Sequence, residues 1–272
     1  MRRFTMSDMK IISIGTLKGG VGKTGILFHL AGILAEEGKR VLCIDVDPQA
    51  NLTTNFGVDI SGTYNSTMNI FSDIKRPDLI VNRGPIDELP TLDLLPSSIF
   101  LTSTELQLVS MAGRENKMMN YIADNINWFS KYDYILIDTN PSMSIINQNA
   151  FKVADDILLI GEASQNSYNG AELFISMWGE IAKDLNIDNN IGGFIINKAE
   201  RNVNATKEFI EFVKSDDSSI KELVAETIIP KNIKVTEAAE LENVPINIYD
   251  KNATSYKALF KLVNELKAKD IF

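Results

Sequence analysis

The sequence predicts an α/β fold, a single domain with a mostly parallel twisted sheet and helices on both faces. Short continuous apolar runs, typical of strands that are buried on both sides, alternate along the chain with helical patterns. The chain of 272 residues, 44% of them hydrophobic, is long enough to bury one large core. No internal repeat or low-complexity linker divides it. We therefore expect a short N-terminal lead over residues 1–9 and one domain over residues 10–272.

The apolar pattern assigns the elements in chain order. The predicted strands are residues 11–14, 41–44, 92–95, 134–138, 157–160, 194–197 and 226–229. The predicted helices are one from Lys23 to a stop at Gly38, a short one near 68–71, one over about 104–128 with a break near Gly113, and 169–185, 205–214 and 254–268. The last helix has an apolar stripe of Tyr256, Leu259, Phe260, Val263 and Leu266. We interpret this stripe as a core-packing face, and a membrane-surface helix is the alternative.

A glycine-rich segment, KGGVGKT at residues 18–24, lies between the first strand and the first helix. Its glycines allow successive backbone N–H groups to turn inward, which forms an anion-binding nest at a helix N-terminus. Lys23 can then reach the β- and γ-phosphates of a nucleotide, and Thr24 can ligate Mg²⁺. The usual P-loop has a glycine where Leu17 stands, and here Lys18 opens the loop. A purely structural turn is the alternative, but the order of strand, loop and helix favours a phosphate site.

Carboxylates follow two other predicted strands. Asp45 and Asp47 come directly after residues 41–44, and Pro48 holds Asp47 in an extended or turn geometry. Asp138 ends the strand at 134–138, as a Walker B segment requires, and can hold Mg²⁺ through a water. Because ligands bind at the carboxyl ends of parallel strands, we expect these groups to meet the glycine-rich segment.

Composition excludes several other kinds of site. The net charge of −9 argues against a protein that coats nucleic acid through bulk electrostatics. The chain has one cysteine, Cys43, and one histidine, His29, so a disulfide framework, a cysteine or histidine metal cluster and a Ser–His catalytic pair are not expected. We predict a packing role for Cys43 and a packing or surface role for His29. The sequence has no signal core and no apolar run as long as a membrane span, which predicts a cytoplasmic location.

Four segments together resemble the ParA (Soj) partition ATPases of the deviant Walker A group, which are related to MinD. They are KGGVGKT, DVDPQANLT, YDYILIDTNPS and TIIPKNIKVTEAAELENVPINIYD, and the resemblance extends from about residue 10 to residue 267. It implies a single P-loop NTPase domain that hydrolyses ATP with Mg²⁺. It also implies an ATP-dependent homodimer that binds DNA non-specifically, associates with the nucleoid and is reset by a ParB-like centromere-binding partner. A MinD-like membrane-associated positioning ATPase and a metabolic P-loop enzyme are the alternatives.

The resemblance also implies roles for individual residues. Lys18 reaches across the dimer to the phosphates of the other subunit's ATP, and Asp47 orients or activates the attacking water. The implied catalytic residues are Lys18, Lys23, Asp47 and Asp138, and the implied magnesium residues are Thr24, Asp47 and Asp138. The implied nucleotide-binding residues are Lys18, Gly19, Gly20, Val21, Gly22, Lys23, Thr24 and Gly25, with Asn197, Pro230 and Asn232 near the base. The implied DNA contacts are Arg201, Lys231 and Lys234.

Three positions depart from the family pattern. Gly25 replaces a second threonine whose hydroxyl could contact the α-phosphate, and Asn140 replaces the first proline of a Pro-Pro pair that follows the Walker B strand. Lys234 stands where an arginine is usual, so a phosphate contact there loses the bidentate geometry of a guanidinium. Together with the acidic net charge, this predicts weak and strongly salt-sensitive DNA binding.

Overall fold

The computed structural model describes residues 9–59, 65–72, 76–200 and 202–272. Within these ranges, six strands form one sheet in the order β3-β2-β4-β1-β5-β6, and every neighbouring pair is parallel. The strands are β1 Lys10–Gly15, β2 Val41–Asp45, β3 Leu92–Leu95, β4 Tyr134–Asp138, β5 Asp156–Glu162 and β6 Ile191–Asn197. The predicted parallel sheet is confirmed.

Helices connect the strands. In the described ranges the α-helices are α1 Lys23–Glu36, α2 Asn51–Asn55, α3 Leu101–Leu108, α4 Lys117–Asp124, α5 Ile126–Phe129, α6 Ile145–Val153, α7 Gln165–Asp184, α8 Asn204–Val213, α9 Ile233–Thr236, α10 Ile246–Tyr249 and α11 Thr254–Ala268. Short 3₁₀ helices cover Thr67–Phe71, Pro77–Leu79, Arg114–Asn116 and Lys221–Leu223, and a π-helix covers Glu237–Leu241. The predicted break near Gly113 is confirmed, because this residue adopts a left-handed conformation between α3 and α4.

The helices cover both faces of the sheet, as predicted. Successive strand residues point to opposite faces, so Ile11 and Ile12 of β1 enter different hydrophobic cores. One core contains residues of α3 to α8, and the other contains residues of α1, α2, α10 and α11. Burial on both sides explains why the strands are continuous apolar runs and not alternating ones.

The segment at 226–229, predicted to be a strand, is not one. Isolated parallel bridges flank it: Val224 pairs with Phe194 of β6, and Pro230 pairs with Ala199, two residues beyond the end of β6. The backbone N–H groups of Glu226 and Thr227 donate to the carboxylate of Glu265, at 2.8 and 2.9 Å. Because α11 supplies this acceptor, the middle of the segment does not form a continuous ladder with the sheet.

The last helix packs into the core, with one correction to the predicted stripe. Buried side chains of α11 are Leu259, Leu262, Val263 and Leu266. Phe260, which was predicted to share this stripe, is 40% exposed. No helix in the described ranges combines the length and the apolar character needed to cross a membrane.

His29 and Cys43 are both buried, which confirms the packing role predicted for Cys43 and decides for packing over a surface role at His29. The Nδ1 atom of His29 accepts a hydrogen bond of 3.1 Å from the backbone N–H of Ile246. Its Nε2 atom lies 3.1 Å from the carbonyl oxygen of Val235. Burial lowers the pKa of His29 to about 4, so the ring is neutral with the proton on Nε2. The imidazole thereby ties α1 to α9 and to the start of α10.

Candidate functional site

The predicted phosphate-binding and acidic residues meet at the carboxyl edge of the sheet. The register pairs Asp138 of β4 with Asp45 of β2 on one side and with Ile14 of β1 on the other. The glycine-rich loop that follows β1 therefore starts beside both acidic strand ends. The sheet order thus brings together residues that are more than 100 positions apart in the chain.

The glycine-rich loop has the backbone geometry of an anion nest. Gly20 and Gly22 adopt left-handed conformations, with φ of 78° and 87°. Gly22 is the N-cap of α1 and has no side chain to cap the helix, so the first N–H groups of a 14-residue helix open toward the loop. The Thr16 hydroxyl accepts a 3.2 Å hydrogen bond from the N–H of Lys18 at the start of the loop. The arrangement suits a phosphate group.

Lys23, Thr24 and Asp138 form the buried floor of the site. The Thr24 hydroxyl donates a hydrogen bond of 2.7 Å to Oδ2 of Asp138. Burial raises the pKa of the Asp138 carboxyl to about 6, while Lys23 and the Thr24 hydroxyl favour its charged form. Burial also lowers the pKa of Lys23, against the opposing effect of Asp138 and Asp47.

The oxygen ligands that a magnesium ion prefers are present at this floor. Oδ1 of Asp138 is buried and has no hydrogen-bond partner among the described residues. A buried acceptor without a partner is costly, and a hard cation would satisfy it. The described residues contain no cluster of three or more His, Cys, Asp or Glu side chains placed to hold a metal. The site therefore fits an ion that is held by few protein oxygens and completes its shell with phosphate and water.

Asp45 and Asp47 differ in their surroundings. Asp45 is fully buried and accepts from the N–H of Asp47 at 3.1 Å and from the N–H and hydroxyl of Thr53 at 2.9 and 2.7 Å. Asp47 accepts from the N–H of Gln49 at 2.9 Å, and its carbonyl accepts from the Ser97 hydroxyl at 2.6 Å. Asp45 therefore shapes the turn that presents Asp47, and Asp47 is near enough to influence the charges of the buried floor.

Asn147 holds the loop that follows β4, a role that the sequence pattern did not indicate. Its side-chain N–H₂ group lies 2.9 and 2.8 Å from the carbonyl and Oδ1 of Asn140, and 2.8 Å from the carbonyl of Ser142. The Ser142 hydroxyl donates to the same Oδ1 of Asn140. A Cβ atom at Gly19 would lie 3.9 Å from Cγ of Pro141, so the loop borders the nest. Hydrogen bonds fix this loop at the position where Asn140 replaces the family's proline.

Lys18 lies at the surface beside a carboxylate that sequence reasoning missed. Its Nζ is 3.7 Å from Oε2 of Glu162, at the end of β5. The other oxygen of Glu162 is 3.9 Å from Nζ of Lys198, and that amine donates a 2.6 Å hydrogen bond to the carbonyl of Gly20. Both missed residues stand at the carboxyl ends of predicted strands, which is the signal that could have identified them.

The residues predicted near the base occupy two neighbouring positions. Asn197 is buried, and its side chain donates 2.9 Å to the carbonyl of Val21 in the nest. Asn232 caps α9, with its Nδ2 atom 3.1 Å from the Thr254 hydroxyl. Pro230 forms an isolated bridge just beyond the end of β6. Asn197 thus contacts the phosphate loop itself, and the other two lie on the adjoining segment.

The two predicted DNA-contact lysines in the described part of the chain are paired with acidic side chains. Nζ of Lys231 is 2.6 Å from a carboxylate oxygen of Glu200, and Lys234 forms an ion pair with Asp250. Arg201 lies outside the described residues. The two described lysines therefore do not present uncompensated positive charge.

Gly25 lies in the first turn of α1, and a Cβ atom there would meet nothing within 4 Å.

Comparisons with known proteins extend the likeness beyond the site. Residues 9–192 match the family model AAA_31, described as an AAA domain. The chain is 29% identical to the sporulation initiation inhibitor protein Soj of Bacillus subtilis, over 95% of this chain and 98% of Soj. It is 29% identical to the chromosome partitioning protein ParA of Myxococcus xanthus, over 96% of this chain and 89% of that protein.

A solved structure gives the same result. A Borrelia burgdorferi protein described as a plasmid partition protein, bound to AMPPNP, matches with a TM-score of 0.76 and 25% identity, over 96% of this chain and 99% of that one. These likenesses span nearly the whole length of each protein, so they include the segments between the motifs.

Proposed function

Because this chain belongs to the AAA domain family and is homologous to Soj and ParA over nearly its whole length, we propose that it is a DNA-partition ATPase. The observation that carries the proposal is the hydrogen bond from the half-buried Thr24 to the buried Asp138 beside a glycine nest, with Lys18 at its mouth. This combination supports both a nucleotide site and a contribution from a second subunit. We take the nucleotide to be ATP.

The residues around the nest have separate roles toward ATP. The backbone N–H groups of the nest bind the phosphates, and Lys23 neutralises charge on the β- and γ-phosphates. Thr24 and Asp138 would hold Mg²⁺, which supplies positive charge to the phosphate oxygens. Asp47, held in place from Asp45 and Ser97, orients or activates the attacking water.

Lys18 links nucleotide binding to dimerisation. Its side chain is 39% exposed, and its contact with Glu162 is a long surface ion pair. Such a pair contributes little free energy, so Lys18 can leave it at small cost. In the homodimer Lys18 contacts the phosphates of the other subunit's ATP and stabilises charge in the transition state, as an arginine finger does. The dimer therefore forms only when ATP is bound.

The ATP-bound dimer binds DNA without sequence preference and associates with the nucleoid. Because Lys231 and Lys234 are paired with carboxylates, DNA phosphates must replace Glu200 and Asp250. This exchange predicts weak binding that falls steeply with salt. A ParB-like centromere-binding partner stimulates hydrolysis and returns the protein to the DNA-free state.

Membrane positioning of the MinD type has less support. The apolar residues of α11 that could contact a lipid surface are used in the core, which leaves Phe260 and a partly buried Tyr256. We therefore retain partition as the proposed function.

The proposal is tested by DNA co-sedimentation across a range of salt. The Asp47→Ala variant, which should bind ATP without hydrolysing it, is mixed with non-specific duplex DNA, Mg²⁺ and either ATP or ADP. We expect at least about tenfold more bound protein with ATP at low salt, because only the dimer presents two sets of contacts. Equal binding with both nucleotides would contradict the DNA part of the proposal. A liposome flotation assay with ATP tests the membrane alternative.

A further inference from the structure

Two side chains at the end of β6 hold the glycine nest from outside. Asn197 donates a 2.9 Å hydrogen bond to the carbonyl oxygen of Val21. The next residue, Lys198, donates a 2.6 Å hydrogen bond to the carbonyl oxygen of Gly20. Two consecutive residues at the end of β6 therefore bind two consecutive carbonyls of the loop. The paired residues are 176 and 178 positions apart in the chain.

These contacts bear on the shape of the nest. A nest binds an anion only when its N–H groups point inward, and the carbonyl groups on the same peptide planes then point outward. Gly20 and Gly22 have no Cβ atom to restrict them, so the loop has many other conformations available. Donors that hold the Gly20 and Val21 carbonyls outward select the anion-binding one.

Lys198 adopts an uncommon backbone conformation to make this contact. Its φ is 53°, in the left-handed region that residues with a Cβ rarely occupy. The next residue, Ala199, donates its N–H to the carbonyl of Ile229 at 3.0 Å. Such strain persists only where the surroundings impose it, and it concentrates at functional sites.

The side chains of Asn197 and Lys198 pack closely against Gly22 and leave no space for a side chain there. A Cβ atom at Gly22 would lie 2.5 Å from Nδ2 of Asn197 and 3.4 Å from Cε of Lys198. The two side chains therefore cover the loop at its third glycine as well as holding its carbonyls. Glu162, with an oxygen 3.9 Å from Nζ of Lys198, lies beside this contact and supports its position.

We propose that Lys198 is a positioning residue of the nucleotide site, which with Asn197 clamps the Gly20 and Val21 carbonyls and organises the nest before nucleotide binds. The inference rests on the proposed nucleotide binding. Lys198 acts on the loop and not on the reacting atoms, so it affects binding of ATP and ADP alike and has little effect on the chemical step.

The test compares variants that separate the amine from the backbone conformation. Asparagine tolerates the left-handed region, and glycine adopts positive and negative φ about equally well. Lys198→Asn and Lys198→Gly should therefore keep the backbone conformation while they remove the amine. Lys198→Arg keeps a charged donor. The matched control is Lys207→Asn, an exposed lysine of α8 away from the nest. Thermal melts first verify that every variant is folded, and Lys198→Gly should be at least as stable as the wild type because it relieves strain.

Affinities for ATP and ADP are then measured by calorimetry, with steady-state hydrolysis beside them. We expect Lys198→Asn and Lys198→Gly to bind both nucleotides about tenfold more weakly, with KM raised and kcat within about twofold of the wild type. The nucleotide affinities of Lys198→Arg should stay within about threefold of the wild type, and those of Lys207→Asn should equal the wild-type values. Hydrogen exchange without nucleotide should be faster at residues 19–22 in the Asn and Gly variants.

The outcomes separate this inference from the proposed function. A wild-type protein that binds neither nucleotide contradicts the proposed function itself. The clamp is overturned if the wild type binds ATP and the Lys198→Asn and Lys198→Gly variants bind it with the same affinity as the wild type, with hydrogen exchange at residues 19–22 unchanged. A large fall in kcat with unchanged affinity also overturns it, because that result would place Lys198 in the chemical step.

Discussion

The Thr24 hydroxyl donates a 2.7 Å hydrogen bond to one oxygen of Asp138, and the second oxygen of that buried carboxylate has no partner among the described residues. One half of the carboxylate is therefore fixed, and the other half remains available to a cation. The pKa of about 6, raised by burial, indicates that the charged form is costly in the free protein. Magnesium binding would remove much of that cost.

Substituting Asp138 by asparagine tests this relationship. Asp138→Asn keeps the size of the side chain and removes the buried charge, which offsets the loss of the carboxylate beside Lys23, so the stability of the nucleotide-free protein should stay within about 2 kcal/mol of the wild type. The gain in ATP affinity on adding Mg²⁺ should disappear. Thermal shift with ATP, in EDTA and in Mg²⁺, measures both effects. An Asn variant that responds to Mg²⁺ as the wild type does would show that the ion is held elsewhere.

Removing the Asn147 amide should loosen the loop after β4. Asn147→Ala leaves the carbonyls of Asn140 and Ser142 without their donor, which should cost about 1–3 kcal/mol of stability. Because this loop borders the nest at Gly19, we expect kcat to fall about tenfold while ATP affinity changes by less than about threefold. Phosphate release under saturating ATP and a binding isotherm measure the two quantities. A variant that loses stability but keeps its kcat would restrict Asn147 to a structural role.

Gly25 offers a gain-of-function test with a built-in control. A Cβ atom at this position meets nothing within 4 Å, so alanine, serine and threonine can all be accommodated. Gly25→Ala should stabilise α1 by up to about 1 kcal/mol through helix propensity and leave ATP affinity unchanged. Gly25→Thr adds the hydroxyl that we predict to contact the α-phosphate and should tighten ATP binding severalfold. Equal affinities for the Ala and Thr variants would show that the hydroxyl finds no phosphate here.

The phosphate site could be predicted from the sequence because its signals are local. The nest, with Thr24 shortly after it, follows one apolar run and Asp138 ends another, and a parallel sheet places such ends at one edge. Asn197 was also predicted near the nucleotide, and the structure puts it against the nest. Side-chain type and strand position were sufficient for the nest, Thr24 and Asp138, whereas Asn197 was implied only by the family resemblance.

Features that depend on distant side chains could not be predicted. The segment at 226–229 has the composition of a strand, but its N–H groups bind Glu265 of a later helix. Likewise, the basic character of Lys231 gave no sign of its partner Glu200, which lies 31 positions earlier. The place of Lys198 directly after a predicted strand was visible in the sequence, but its contact with the Gly20 carbonyl, 178 positions earlier, arises only after the sheet has formed. Local patterns predict elements, whereas such contacts depend on the packing of those elements.

The single histidine gives a clean test of the core. In the folded protein His29 has a pKa of about 4, against 6.5 for the unfolded chain, so the unfolded chain binds the proton first as pH falls. Its contribution to stability is therefore complete above pH 6.5 and decreases toward pH 4, by at most about 1.4 kcal/mol per pH unit.

Nuclear magnetic resonance can follow this one imidazole without ambiguity, because the chain has no other histidine. The ring should remain neutral, with its proton on Nε2, throughout a titration from pH 7.5 to 5.5. A ring that titrates in this interval would show that the hydrogen bonds from Ile246 and to Val235 do not enclose it.

We propose that ATP joins two copies of this chain through Lys18, and light scattering of the Asp47→Ala protein is the direct test. With ATP and Mg²⁺ the measured mass should be twice that of one chain, and with ADP it should be that of one chain. Adding Lys18→Gln should leave ATP bound and the protein monomeric, whereas Lys183→Gln, at an exposed position of α7, should still dimerise. A monomer with ATP, or a full dimer that lacks Lys18, would contradict the account.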